Sequence, residues 1–416
     1  MPTSFTLDNG LRVVLAPSAT DTVYAGIAVA AGTRHELDSE SGMAHFVEHM
    51  SFKGTERLTS VQILNRMESV GGDLNAYTGK EETVFYSIFM REHLRRALPL
   101  LLDIVFGSIF PQAELEKERE VVIDEIESYR DSPAELIYDD FEALLFPGHS
   151  LGRNILGNAE RLRQYTSADL IAFTRRLYSP ARAVLFVKGN VSEGEIRKYA
   201  ASSHSTLRAA SDTTCDAPGS PYGVNTPSLE GRVVGPPVTY NKSTHQAHVM
   251  LGAPAFALSD PRHIGLALLS NLLGGPAMNS RLSLALRERS GLVYTVESSL
   301  TPYTDTGVWA VYFGCDHADV GRCLRLVRRE LLRLVDRPLS QRALDAARRQ
   351  LKGQMAVAAD NFENAALAMG KQFLLTGCVK TLADRFAQLD ALTPHTLHNI
   401  AAQVFDPDRL TTLIYE

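Results

Sequence analysis

The chain has 416 residues, 45% hydrophobic and 22% charged, a balance that excludes a disordered or fibrous protein and supplies apolar mass for more than one core. Forty-two Lys and Arg against 48 Asp and Glu give a formal net charge of −6, the wrong sign for a nucleic-acid binder. No run of about 18 apolar residues is present, so no membrane span is expected.

The N-terminal Met1-Pro2-Thr3-Ser4-Phe5 lacks the basic-then-apolar order of a signal peptide. The four cysteines, Cys215, Cys315, Cys323 and Cys378, are scattered without a Cys-x-x-Cys pair. A disulfide framework or cysteine-built zinc site is therefore not expected, and a reducing, cytoplasmic setting is the simpler reading.

Along the chain, the first informative segment is Gly42-Met-Ala-His45-Phe-Val-Glu48-His49-Met-Ser-Phe-Lys-Gly54. Its apolar residues and absence of proline predict a helix from near Ser41 to just before Gly54. On that helix His45 and His49 are one turn apart and project to the same side. Two imidazoles so placed can both reach one Zn²⁺ at about 2.0–2.1 Å. Glu48 lies beside them, where it could take a proton from an attacking water. The commoner zinc-protease arrangement places Glu directly after the first His, so this is its inverse.

Next, Gly71 to Tyr77 and Thr83 to Phe89 read as strands, and Leu94 to Phe106 as an amphipathic helix. A catalytic zinc needs a third protein ligand and an open position. The richest supply is Glu114 to Glu142, with 12 Asp or Glu against three Lys or Arg. Within it Glu118-Arg-Glu-Val-Val-Ile-Asp-Glu125-Ile126 reads as helix, and Glu118 and Glu125, seven residues apart, share a face. Spacing alone does not choose between them. An isolated His-x-x-x-His is usually structural, and a Glu-rich helix is usually a solvated face. The conjunction, with the acidic helix about 75 residues beyond the histidines, points to a zinc hydrolase.

From Ala209 to Pro237, Pro, Gly, Ser, Thr and Asp accumulate without periodicity, as in a linker. Beyond it Gly291-Leu-Val-Tyr294, Gly307 to Phe313 and Val320 to Leu334 repeat the order strand, strand, amphipathic helix. The expected fold class is α+β: two tandem homologous domains, each a mainly antiparallel sheet with helices packed on one face. The boundaries are a zinc-binding catalytic domain at 1–215, a linker at 216–236 and a second domain without metal at 237–416.

These motifs resemble the pitrilysin/insulinase family of zinc metallopeptidases, in its short two-domain form similar to the mitochondrial processing peptidase β subunit. The resemblance spans nearly the whole chain and includes Leu7-Asp-Asn-Gly-Leu-Arg12, Gly71-Gly-Asp-Leu-Asn-Ala-Tyr-Thr78, Glu118 to Ile126 and Asp131-Ser-Pro133. It implies that His45, His49 and Glu125 bind one zinc per chain. It also implies that Glu48 is the general base and that Glu118 supports the site without ligating. Asn75, Ala76 and Tyr77 then look like the edge strand against which an extended peptide is laid. In Ser280-Arg-Leu-Ser-Leu-Ala-Leu-Arg287-Glu-Arg-Ser-Gly-Leu-Val-Tyr294, Arg287 and Tyr294 resemble the family's pair that holds the substrate carbonyl and stabilises the oxyanion.

The resemblance implies an endopeptidase acting on unfolded peptides or presequences. A homodimer enclosing a chamber is expected, with Arg287 and Tyr294 serving the other subunit's zinc and with no nucleic-acid or membrane partner. Two alternatives stay open: a catalytically silent core or scaffold subunit, and one half of an obligate heterodimeric peptidase.

Overall fold

The computed structural model describes residues 2–201 and 235–416. Most of the expected linker, residues 216–234, and Cys215 lie outside the described residues. Among the described residues, six strands form one sheet: β1 (Thr3–Thr6), β2 (Arg12–Pro17), β3 (Thr22–Val29), β4 (Asp73–Thr78), β5 (Thr83–Met90) and β6 (Ala183–Gly189). Their order is β1-β2-β6-β3-β5-β4, and only β2 and β6 run parallel. A second sheet contains β7 (Val238–Tyr240), β8 (Ala247–Ala255), β9 (Val293–Pro302), β10 (Gly307–Cys315) and β11 (Thr411–Tyr415). Its order is β7-β11-β8-β10-β9, again with one parallel pair, β7 and β11.

Strand for strand, β7-β11-β8-β10-β9 repeats β2-β6-β3-β5-β4. The helices Leu94–Phe106 and Val320–Asp336 follow the equivalent strands β5 and β10. The repeated strand-strand-helix pattern in the sequence is therefore a repeated topology. Each sheet ends at one side on the equivalent strands β4 and β9.

The alternation along the strands serves two cores. In β3, Val23, Ala25, Ile27 and Val29 join one cluster while Ala28 joins another; in β6, Leu185 and Val187 separate in the same way from Val184 and Phe186. The expected layering of sheet and helices is present in both halves, and the opposite face of the sheet is buried as well. One face of the first sheet carries the larger layer, including the helices Met43–Ser51 and Leu94–Phe106, and the other carries Phe362–Thr376. The physical reason is the apolar alternation itself. Residues such as Val14, Val84 and Phe186 would otherwise face water, and Ala366, Met369, Phe373 and Leu374 cover them.

The second sheet is treated likewise. Helix Pro133–Leu145 covers one face through Ile137, Phe141 and Leu145. Its carboxylates Asp140 and Glu142 accept hydrogen bonds from the Tyr415 and Tyr303 hydroxyls at 2.7 and 2.6 Å, and Tyr138 donates to Glu297. Compact units consequently do not follow the order of the chain. Among the described residues, one unit gathers 2–128, 153–201 and 358–379, and the other gathers 129–152, 235–357 and 380–416. No helix among the described residues is long and apolar enough to cross a membrane.

The helix Phe362–Thr376 reaches its sheet closely because Gly370 and Gly26 both abut the buried Phe186 ring. A Cβ on either glycine would overlap it. Gly370→Ala should lower the unfolding free energy by about 1–3 kcal/mol through overpacking, outweighing the roughly 1 kcal/mol that alanine gains in a helix. Denaturant unfolding checks this, and unchanged or raised stability would show that the ring yields.

Candidate metal centre

The helix Met43–Ser51 is buried nearly all round, with only His49 partly open to solvent. Met43, Phe46, Val47 and Met50 hold it in the core by apolar burial. Its start has no side-chain cap of its own: Gly42 sits in left-handed backbone at φ +80° and packs directly on Gly157. The first-turn amides are instead met by the carboxylate of Glu36, which accepts from the backbone N–H of Gly42 at 3.2 Å and of Ala44 at 2.9 Å. Burial lifts the Glu36 carboxyl to about 8, against the pull of those two amides. The helix is thus pinned at its beginning by a residue six positions upstream.

Opposite it runs the acidic helix Gln112–Arg130, which buries Leu115, Glu118, Val122, Ile123 and Ile126 and presents Glu125 at its exposed border. Glu125 reaches both imidazoles: Oε1 lies 3.7 Å from His45 Nε2 and Oε2 lies 3.4 Å from His49 Nε2. The two rings are 4.6 Å apart at 66°, and one ligand atom from each of the three residues lies within 4.8 Å of the others. A tetrahedral ion with legs of about 2.0–2.1 Å separates its ligand atoms by roughly 3.4 Å, so the donor set fits zinc in size and type. Among the described residues this is the one such grouping of three.

The geometry separates the two glutamates that spacing left equivalent. Glu118 meets the other nitrogen of His49, Nδ1, at 3.0 Å, while its second oxygen pairs with Lys53 Nζ at 2.5 Å. It is thus placed to orient the ring rather than to join the converging set, as carboxylates behind metal-binding histidines do.

Electrostatics follow the packing. Burial, then the neighbouring His49, pushes His45 down to about 4. Burial would lower His49 too, but hydrogen bonding to Glu118 and Glu125 and the charge of Glu48 lift it to about 9. Burial raises the Glu48 carboxyl above its ordinary range, partly offset by a 2.6 Å hydrogen bond from the Thr78 hydroxyl. Hydrogen bonding to His49 lowers Glu125.

Asn75, Ala76 and Tyr77 lie on β4, the last strand of the first sheet, next to the histidine helix. The Asn75 side chain accepts from the Ala76 N–H at 2.9 Å. Arg287 and Tyr294 belong to the other compact unit. Arg287 lies in a π-helical turn, Ser283–Glu288, and pairs with Glu288 at 2.9 Å. Tyr294 stands 88% exposed on β9, the strand equivalent to β4. Three supporting residues were not singled out by sequence reasoning. Lys53 follows His49 by one helical turn and Thr78 ends the glycine-led motif, so both carried a local signal; Glu36 carried none.

Residues 12–159 match the family model described as insulinase, peptidase family M16, and residues 164–351 match that of the peptidase M16 inactive domain. The chain is 32% identical over 414 residues to the uncharacterized zinc protease YmxG of Bacillus subtilis, covering 99% of this chain and 97% of that protein. It is 29% identical over 412 residues to the human mitochondrial-processing peptidase subunit beta, covering 95% of this chain and 81% of that one. A protease from Helicobacter pylori superposes with a TM-score of 0.88 at 22% identity, over 100% of this chain and 99% of that one, which shows a shared fold. This chain belongs to the M16 insulinase family of peptidases, in its short two-domain form.

If Glu125 ligates zinc and Glu118 orients His49, Glu118→Gln should weaken zinc binding by about 10–100-fold and Glu125→Gln by more. Competition against a chelator measures both. A larger loss for Glu118→Gln would reverse the roles.

Proposed function

We propose that the protein is a zinc-dependent endopeptidase that hydrolyses unfolded peptides or presequences, and that His45, His49 and Glu125 hold one zinc per chain. The observation that carries this reading is the convergence of those three donors beside the buried Glu48 carboxylate. Zinc, when bound there, would supply a Lewis acid for the scissile carbonyl and for water.

Glu48 is the general base. Its burial disfavours the charged form, so its carboxylate is the better proton acceptor for it. It takes a proton from the attacking water and returns it to the leaving amine. Glu118, backed by Lys53, keeps the His49 ring in orientation. The edge of β4 at Asn75, Ala76 and Tyr77, beyond which no strand lies among the described residues, pairs with an extended peptide through backbone hydrogen bonds, which demands little of its sequence. The guanidinium of Arg287 and the phenol of Tyr294 donate to the oxyanion as it forms.

The chain is proposed to act in the cytoplasm as a homodimer enclosing its substrate, with Arg287 and Tyr294 serving the partner's site. That a relative is named a subunit supports function within an assembly.

Cleavage of a quenched peptide should be lost in Glu48→Gln, by about 10²–10⁴-fold, while zinc stays bound. Arg287→Ala should also be impaired, and mixing the two variants under conditions where subunits exchange should restore activity. Turnover by Glu48→Gln at the wild-type rate would overturn the mechanism, and no recovery on mixing would overturn action in trans. A zinc-loaded wild type without turnover would favour the heterodimeric or silent-subunit reading.

A further inference from the structure

The fold orients the Glu48 carboxylate as well as the His49 ring. The carboxylate of Glu48 is 9% exposed, and among the described residues its one side-chain hydrogen-bond partner is Thr78, whose hydroxyl donates to Oε2 at 2.6 Å. That length belongs to the strong class of hydroxyl–carboxylate bonds.

The proton of Thr78 has little else to do. Its nearest alternative is the Thr83 hydroxyl, 3.4 Å away across the β4–β5 register. Thr83 is fully buried and already donates its own proton to the Ala31 carbonyl at 2.7 Å. Thr83 therefore cannot donate back to Thr78, and the Thr78 proton goes to the shorter, charge-assisted contact. A glutamate's terminal torsion is otherwise broad, so without this donor the carboxylate would rotate freely against its target.

We infer that Thr78 is a positioning residue for the general base, holding one oxygen of Glu48 so that the other is presented to the water it deprotonates. The inference rests on the proposed role of Glu48 and adds a functional residue to β4. The strand proposed to receive the peptide also carries, at its end, the hydroxyl that aims the base. Peptide pairing along Asn75 to Tyr77 would thus stiffen the segment that orients the catalytic carboxylate.

The experiment compares Thr78→Val, which keeps shape and strand preference but has no donor, Thr78→Ala and Thr78→Ser, which keeps the hydroxyl. Glu48→Gln serves as reference, and zinc content, kcat and KM on a quenched peptide are measured for each. Thr78→Val and Thr78→Ala should lose kcat by about 10- to 100-fold, the scale of a base misplaced by an ångström, with KM and zinc content nearly unchanged. Thr78→Ser should stay within a few-fold of wild type. Wild-type kcat in Thr78→Val, or an equal loss in Thr78→Ser, overturns the inference, as does a loss confined to KM or matched by lost zinc. Activity in Glu48→Gln would instead overturn the base assignment beneath it, so the two failures are distinguishable.

Discussion

Everything proposed for this protein depends on one contact: the carboxylate of Glu125 meeting two imidazoles that the fold has placed 4.6 Å apart. Burial disfavours the protonation of His45 and the neighbouring His49 disfavours it further, which is why His45 is held down to about 4. The arrangement is costly for a structure that needs only a core. Zinc held by the three donors would displace the proton that Glu118 and Glu125 otherwise keep on His49, leaving the neutral imidazoles and ionised carboxylate that such a site requires. The rigid burial of the Met43–Ser51 helix, its Glu36 anchor and the Glu118–Lys53 pair behind His49 all serve to keep those donors in place.

The duplicated topology gives this a clear architectural setting. Strands β4 and β9 occupy the same place in their sheets, yet among the described residues only the first half pairs its edge strand with a histidine helix and an acidic partner. In the second half the equivalent edge carries the exposed Tyr294, just beyond the π-helical turn of Arg287. Such turns are frequent at functional sites, because the extra residue re-aims a side chain out of the helical register. One repeated topology thus carries the candidate metal site in one copy and, in the proposed mechanism, the oxyanion donors in the other.

How much of this could be read from the residues follows from the range of each interaction. His45, Glu48 and His49 are set by one turn of helix, and the repeated strand-strand-helix order by local periodicity, so both were legible. Glu118 and Glu125 share a helical face, and only the tertiary approach of their helix to His49 separates them. The placing of Phe362–Thr376 on the first sheet and Pro133–Leu145 on the second had no local sign. It depends on which apolar strand faces lacked a cover, and it adds a helix to the second face of each sheet. Glu36 escaped notice because its partners are backbone amides six and eight residues on, outside the usual capping positions. The linker expected at 216–236 lies largely outside the described residues.

The most direct test of the central claim is X-ray absorption at the zinc edge of the purified, metal-loaded protein, together with its zinc stoichiometry. The account predicts one zinc per chain with a shell of nitrogen and oxygen only, two imidazoles among the ligands, and the loss of one imidazole signature in His45→Ala. A shell containing sulfur, or zinc bound without imidazole, would contradict it.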